Sequence, residues 1–469
     1  MSRPGSVSRR IDGARFGIEV PRRAGELSPH RSRTCEMPQA KKKKPPARSR
    51  ASASAAGGQA ASPASQTSAD PPARKPYRLR TKLIVGTLLL LSAWFAFRSY
   101  HVYRLRKFAW DASEARRTGD WRQLERVTRQ WSSADPRSAM PWLLAAEAAE
   151  QLGASQRVAE YLEQLPPDDP RTPGVLLELA TIYYGPLNRP LAGEAACRRA
   201  IQIDPQYGEA YRRLLFYYGI TLQRTKMVEA AREAIRRGCE FPESYVYLLG
   251  ANWLTFTNAY ELNEKWLRSG SDEETFRVAQ IVHSVGATAP TTTLVEEVEE
   301  VDSNRRKTQE HDQRLRACFA DYPDNPELLV YFLKQHATQG DVQGVQELLG
   351  RVPASAADDN RFWHYRGWLH QARGELAQAE AAYRQALSLH PYAWRTQFEL
   401  AAVLRKQQRL PEAEQMIALS MEGKGLRETI LQLPDVQSVP PEVLEQMRHY
   451  AEACGDTAVA ERLGLRFAQ

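Results

Sequence analysis

A thirteen-residue pattern occurs twice in this chain of 469 residues, and it constrains the fold more than any other feature. Residues 193–205 read GEAACRRAIQIDP and residues 379–391 read AEAAYRQALSLHP, with Glu, Ala, Ala, Arg, Ala and Pro at the same places. Most of the shared residues are alanines, whose side chains have no chemistry to offer, so a catalytic motif is a poor explanation. A packing unit that the chain uses more than once explains the pattern better.

Glycines and prolines repeat with a period of about 34 residues, which is typical of stacked helical repeats. Gly119 and Gly153 are one period apart, and so are Gly340 and Gly374. Prolines follow at nearly the same interval: Pro136, Pro170, Pro205 and Pro242. Because glycine ends one helix and proline breaks the next, this period predicts two-helix units stacked along the chain.

Small residues and one aromatic share a helical face in the second copy of the pattern. Ala379, Tyr383 and Ala386 lie at i, i+4 and i+7. Small side chains there let the second helix of a unit approach the first closely, and the aromatic fills the gap between units. Both copies are therefore predicted to be second helices of separate repeats. Cys197 replaces the tyrosine in the first copy and is expected to be a small core residue.

With these residues the chain resembles the tetratricopeptide repeat family. The unit from Asn360 has the family's residue types at Trp363, Gly367, Gly374, Ala379, Tyr383, Ala386 and Pro391. Arg366 and His370 replace its leucine and aromatic. Less complete units begin at Ala139, Gly174, Gly208 and Trp394; the last has Gly425 instead of the proline. The resemblance implies an all-α fold, an α-solenoid of helix-turn-helix repeats.

Six segments are predicted on this basis. They are a disordered basic tail at 1–80, a transmembrane helix at 81–103, N-terminal repeats at 104–242, degenerate helical repeats at 243–325, C-terminal repeats at 326–425 and capping helices at 426–469. A longer loop is expected around Pro290. The repeats are predicted to form a continuous curved rod downstream of the membrane helix.

The positive charge of the chain is concentrated at the N-terminus. Residues 1–82 carry 19 Lys or Arg and five acids, a local charge of +14, whereas the whole chain is +8. The remaining 387 residues therefore sum to −6, which argues against a nucleic-acid-binding domain in the folded part. The tail is rich in Ser, Ala, Pro and Gly without apolar periodicity, so it is predicted to be disordered. Either Met1 or Met37 is the true start.

An apolar stretch follows the tail. Residues 83–97 are fifteen uncharged residues, which as a helix span about 22 Å. This is less than the roughly 30 Å of a bilayer core, but Lys82 and Arg98 extend the segment by reaching the headgroups. A buried helix and a cleaved signal peptide are the alternatives to a retained single span. The basic residues favour a cytoplasmic N-terminus, with the repeats across the membrane.

No known catalytic motif is present, and no cofactor or metal site is predicted. The five cysteines, which form no CxxC pair, are Cys35, Cys197, Cys239, Cys318 and Cys454. His364 and His370 are six residues apart and so lie on different helix faces. They are therefore not expected to bind one metal ion together. The acidic run at 295–302 is interpreted as a solvated helix face with its valines turned inward.

The family resemblance implies a concave groove lined by the first helices of the repeats. By register, its residues are Arg361, His364, Trp368, Gln371, Arg395, Phe398, Ala402 and Arg405. A surface of arginines and aromatics suits a protein or peptide segment that is acidic and partly apolar. It does not reproduce the Lys/Asn pattern of the family members that clamp chaperone C-termini.

The sequence therefore predicts a membrane-anchored scaffold, not an enzyme, that binds protein partners. Two alternatives stay open. One is an enzyme with an unrecognised site within 243–325. The other is binding of anionic lipid or nucleic acid through the basic tail, where residues 41–44 are four consecutive lysines.

Overall fold

The structure is a computed structural model and describes residues 77–256, 258–268, 270, 272–284 and 298–467. The side chains of residues 77–83, 298–308 and 466–467 are outside this description. Within these ranges the chain forms twenty α-helices, one 3-10 turn at Ala354–Ala356 and no strand. The prediction of an all-α fold is thus confirmed for the described residues. The chain divides into two units, Met1–Arg78 and Leu79–Gln469, and the repeats belong to the second.

The first ten helices are α1 (Tyr77–Thr118), α2 (Trp121–Ala134), α3 (Ala139–Gln151), α4 (Ser155–Leu162), α5 (Thr172–Tyr184), α6 (Pro190–Ile203), α7 (Gly208–Ile220), α8 (Arg224–Arg237), α9 (Pro242–Leu249) and α10 (Ala259–Leu267). The other ten are α11 (Glu273–Ser284), α12 (Val298–Asp321), α13 (Pro326–Gln339), α14 (Val342–Gly350), α15 (Asn360–Ala372), α16 (Leu376–Leu389), α17 (Trp394–Lys406), α18 (Leu410–Leu431), α19 (Pro441–Ala453) and α20 (Thr457–Phe467).

The helices pack as a stack of two-helix repeats. Neighbours in the sequence contact each other along most of the chain, and first helices also contact the first helices of the next repeat, as α13 contacts α15 and α15 contacts α17. Each repeat buries its apolar face only by leaning on its neighbours. The predicted solenoid of tetratricopeptide-like repeats is therefore the observed architecture.

Glycines mark the ends of the first helices, as the period predicted. Gly119, Gly153, Gly340 and Gly374 all have positive φ, between 69° and 79°. This left-handed conformation is costly for residues with a Cβ, and it closes the end of a helix so that the chain can turn into the next one.

Both copies of the thirteen-residue pattern lie in second helices. Residues 193–205 cover most of α6 and residues 379–391 cover most of α16. Cys197 and Tyr383 are each 0% exposed, so both are core residues. Tyr383 packs against Gly367 of α15, where a Cβ would come within 2.6 Å of the ring. The glycine therefore allows the close approach of the two helices that the small residues predicted.

The last two helices depart from the predicted continuous rod, because α20 returns to pack on α8. Arg232 of α8 forms an ion pair with Asp456 at 2.9 Å, and Arg462 of α20 pairs with Glu240 at 3.0 Å. Side chains from α19 and α20 also share a core with helices α3 to α11. The predicted capping helices therefore cover the middle of the array in addition to its end.

Helix α1 includes the predicted transmembrane segment. Its C-terminal part packs against α2 and α3 through Ala112 and Ala115. Its earlier apolar side chains are 50% to 74% exposed: Ile84, Val85, Leu88, Leu89, Leu90, Leu91, Trp94, Phe95 and Phe97. Within the described part of the chain, no helix is long and apolar enough to cross a membrane, so the predicted transmembrane helix is not supported. The helix is too short in apolar residues because Lys82 and Arg98 bound a run of only fifteen uncharged residues. The side chains of residues 81–83 are not described.

Some predictions fall on residues that the structure leaves undescribed. The basic tail lies outside the described residues up to residue 76, and so does the loop around Pro290. The acidic run at 295–302 enters α12 at Val298, but its side chains are not described. Whether its valines turn inward therefore stays a prediction.

Candidate functional site

A buried chain of ion pairs joins three helices beside the predicted groove. Glu327, at the start of α13, accepts hydrogen bonds from Arg224 of α8 at 3.1 Å and from Arg361 of α15 at 2.6 Å. Arg361 also donates to Asp359 through Nε and Nη2, at 2.9 and 2.6 Å. Burial opposes the charge of Glu327, but the two arginines outweigh it and lower the pKa of its carboxyl to about 2. The network therefore stays charged and fixes α8, α13 and α15 together.

The same position in three successive repeats has three different surroundings. Glu327, Arg361 and Arg395 follow one another at intervals of one period, each near the start of a first helix. Arg361 is 8% exposed and neutralised by its two carboxylates, whereas Arg395 is exposed and stacks over the Trp394 ring at 4.8 Å. Arg395 forms no ion pair with any residue that the structure describes. The groove thus contains one arginine that stabilises the fold and one that is available to a ligand.

A cavity of about 310 Å³ lies beside this arginine. It is formed by the first helices α13, α15 and α17, by the turn after α9 and by α18. Its walls are Asn252, Trp253, Val330, Lys334, Asn360, Arg361, His364, Tyr365, Tyr392, Ala393, Trp394, Arg395, Thr396 and Arg427. None of these residues is acidic, although four are Lys or Arg. The cavity therefore has a positive interior and aromatic walls.

Three of the cations are not neutralised by carboxylates. Lys334, Arg395 and Arg427 form no ion pair with the residues described here. Partial burial, Arg395 and Arg427 together lower the pKa of the Lys334 ammonium. Burial, followed by repulsion from Arg395, lowers the pKa of Arg427, and attraction by the neighbouring Glu428 offsets part of this shift. An anion placed between these like charges would relieve the repulsive part of both shifts.

His364 lies in the cavity wall as a neutral side chain. Burial, with a smaller contribution from Arg395, lowers the pKa of its imidazole to about 4. Nδ1 lies 3.0 Å from the hydroxyl oxygen of Thr396, which fixes the ring next to α17. At neutral pH this histidine can take part in hydrogen bonds but adds no positive charge.

The other predicted groove residues lie outside the cavity. Phe398 is 55% exposed and Arg405 is exposed, both on α17. Gln371 donates to Glu399 at 3.3 Å and accepts a hydrogen bond from the Tyr383 hydroxyl at 3.0 Å, so its amide is engaged within the protein. Trp368 packs at the edge of a buried cluster, and Ala402 is half-buried. That these residues bind a partner stays a prediction.

Several residues of the cavity were not predicted from the sequence, although the repeat register pointed to two of them. Val330 and Lys334 stand one period before His364 and Trp368, so the repeat register extended backwards would have found them. Trp253 and Arg427 have no such signal. They come from the turn after α9 and from α18, which only the packing of distant repeats brings to this place.

A family model matches part of the chain. Residues 361–393 match the model described as "Tetratricopeptide repeat". The matched segment covers α15 and α16, which contain the buried Arg361, Gly367 and Tyr383. The match supports the predicted resemblance for this repeat, and the helical stack extends the same arrangement to the neighbouring helix pairs. No curated protein sequence matches the chain.

Three solved structures show limited similarity. The MamA protein is 18% identical over 41% of this chain and 98% of its own, with a TM-score of 0.25. The APC/C hetero-tetramer Cut9-Hcn1 is 12% identical over 77% and 72%, with a TM-score of 0.29. A tetratricopeptide repeat protein from Parabacteroides merdae ATCC 43184 is 12% identical over 64% and 99%, with a TM-score of 0.24. TM-scores this low carry no argument about this chain.

Proposed function

We propose that this chain is a non-catalytic scaffold that binds segments of partner proteins on the first helices α13, α15 and α17. The main support for this proposal is the exposed face of α17 beside the cavity. Arg395, Phe398 and Arg405 all come from α17 and combine positive charge with an exposed aromatic. Such a surface can bind an acidic, partly apolar peptide because arginine pairs with carboxylates and the ring covers apolar groups. The repeat matched by the family model supplies the adjacent helix.

Crosslinking of the full chain in its own cells, followed by mass spectrometry, tests this proposal. We expect partner crosslinks on α15 and α17, reduced several-fold in the double variant Trp368→Ala with Arg395→Ala. Arg384→Ala is the matched control, because Arg384 lies on the second helix α16 and pairs with Glu380 at 2.8 Å. Crosslinks confined to second helices, or unchanged in the double variant, would contradict the proposed groove.

The exposed segment of α1 favours an additional property, association with a membrane. Four consecutive leucines, 88–91, are all more than half exposed, so apolar side chains occur on every face of this part of the helix. A surface of this kind is unfavourable in water and favourable in lipid. In the proposed arrangement the chain is held at the membrane by residues 81–103, with its N-terminus in the cytoplasm and its repeats on the other side. The fifteen uncharged residues are too few to cross by themselves, so the proposal requires Lys82 and Arg98 to reach the headgroups from the two ends.

Flotation of the full chain with phospholipid vesicles tests the association. The wild type is expected to float, and the variant Leu89→Glu with Leu90→Glu is expected to remain in the soluble fraction. Leu410→Glu, at an exposed leucine of α18, is the control for a general loss of apolar surface. Protease protection in intact cells tests the orientation, since digestion of the repeats from the cytoplasmic side would reverse it.

A further inference from the structure

The wall of the cavity between α13, α15, α17 and α18 contains four cations and no acid. Lys334, Arg395 and Arg427 come from three different helices, and none of the fourteen wall residues is acidic. Arg361, the fourth cation of the wall, already pairs with Glu327 and Asp359. Like charges gathered in a partly enclosed space repel each other and raise the local affinity for anions. The arrangement is therefore more favourable with an anion in the cavity than without one.

An unpartnered buried donor lies in the same wall. Asn360 is 8% exposed, and its Nδ2 is buried without a hydrogen-bond partner among the described residues. Its chain neighbour Arg361 already donates to Glu327 and Asp359, whereas the asparagine amide is a donor of α15 without a partner among the described residues. Leaving a buried N–H group unpaired is costly, and such groups often mark the place of a ligand.

Two tryptophans hold two of the guanidinium groups. Arg427 lies over the Trp253 ring at 5.6 Å, and Arg395 lies over the Trp394 ring at 4.8 Å. Stacking occupies the flat face of a guanidinium and leaves its N–H edges free to donate hydrogen bonds. Paired N–H groups match the oxygens of a phosphate or a carboxylate, which a single ammonium does less well.

We propose that this cavity is a binding site for a multiply charged oxyanion, namely a phosphate group. Lys334, Arg395 and Arg427 supply the charge, the amide of Asn360 supplies a neutral donor, and the two tryptophans border the group that carries the phosphate. A volume of about 310 Å³ is at the lower limit of ligand pockets, so the site fits a phosphate with a small attached group and not a large cofactor. The site does not depend on the proposed scaffold function. The phosphate comes from a free small molecule or from a phosphorylated side chain.

Isothermal titration of the purified full chain with pyrophosphate tests the site. Lys334→Gln and Arg427→Gln are each expected to weaken binding about tenfold, because each removes a charge-assisted hydrogen bond. Lys406→Gln is the matched control, since Lys406 is an exposed cation of α17 outside both the cavity wall and the predicted groove. Asn360→Ala, which removes the donor without changing the charge, is expected to weaken binding about threefold. Thermal unfolding of each variant shows whether the fold is intact.

A second titration distinguishes the two sources of the phosphate. A short phosphoserine peptide that binds at least tenfold more tightly than pyrophosphate, and that also loses affinity in Lys334→Gln, would point to a modified protein segment. Equal or weaker binding of the peptide would point to a free phosphate compound. Either result supports the site. No saturable binding of either probe, or an equal loss in Lys406→Gln and Lys334→Gln, would overturn it, whatever the crosslinking of partner proteins shows.

Discussion

At the scale of single residues, one register position performs different tasks in neighbouring repeats. Glu327 neutralises Arg361 across the boundary between two repeats. Arg395 finds no such carboxylate among the described residues, because the same position one period earlier is Arg361 and not an acid. A repeated sequence therefore produces both a structural ion pair and an available cation from similar positions. What decides between them is the residue at the same position of the preceding repeat.

The buried carboxylate predicts a pH dependence of stability. Glu327 has its pKa lowered from the ordinary 4.5 to about 2, so the stability it contributes is present above pH 4.5 and is lost as the pH falls towards 2. Glu327→Gln removes the charge at every pH and is expected to lower the free energy of unfolding at pH 7 by about 3 kcal/mol, since it leaves Arg224 and Arg361 under-neutralised.

Urea unfolding of both proteins between pH 7 and pH 3 measures this difference. The gap between wild type and variant is expected to narrow below pH 4.5, because the Glu327 carboxyl then takes up a proton in the unfolded chain while it stays ionised in the folded one. Glu428→Gln, at an exposed glutamate of α18, is the control and should change little. A gap that stays constant across this range would show that the charge of Glu327 does not stabilise the fold.

At the scale of helices, small residues determine how closely the two helices of a repeat pack. Ala379, Tyr383 and Ala386 are each 0% exposed on one face of α16. In the other copy of the pattern, Gly193 of α6 faces the Tyr184 ring, where a Cβ would come within 2.8 Å. The aromatic thus comes from the second helix in one repeat and from the first helix in the other. In both repeats an aromatic ring fills the gap between the two helices, although a different residue supplies the ring.

A large charged side chain on this face should disrupt the repeat. Ala386→Arg places a guanidinium in a space that holds one methyl group, and we expect a loss of at least about 3 kcal/mol together with unfolding of adjacent repeats. Ala381→Arg is the matched control, because Ala381 is exposed on the same helix. Thermal melting followed by circular dichroism measures both. An unchanged melting curve for Ala386→Arg would contradict the helical register.

At the scale of the folded unit 79–469, the return of α20 to α8 joins parts of the chain that are far apart in sequence. Glu240 is 0% exposed and receives Arg462, 222 residues further on. Tyr392, from the turn before α17, donates a hydrogen bond to Asp456 at 2.8 Å. These contacts hold α19 and α20 against the middle repeats.

Removal of one of these contacts should loosen the C-terminal helices as a unit. Arg462→Ala deprives the buried Glu240 of its arginine, and a cost of about 3 kcal/mol is expected. Hydrogen exchange should become faster in α20 and in α8 together. Arg236→Ala is the control, because Arg236 is exposed and makes its ion pair with Glu233 within α8. Faster exchange in α20 alone would show that the two helices do not depend on each other.

The sequence by itself determined the local part of this protein. The regular period, the glycines at helix ends and the alanines on one face specify where helices begin and end and which faces meet, since these depend on contacts within one repeat or with the next. Only the tertiary structure decided that Arg427 and Trp253 meet at one cavity and that α20 covers α8. The angle between successive repeats results from many small packing contacts, and these angles accumulate along the stack. The spacing of repeats in the sequence therefore does not specify which distant helices meet.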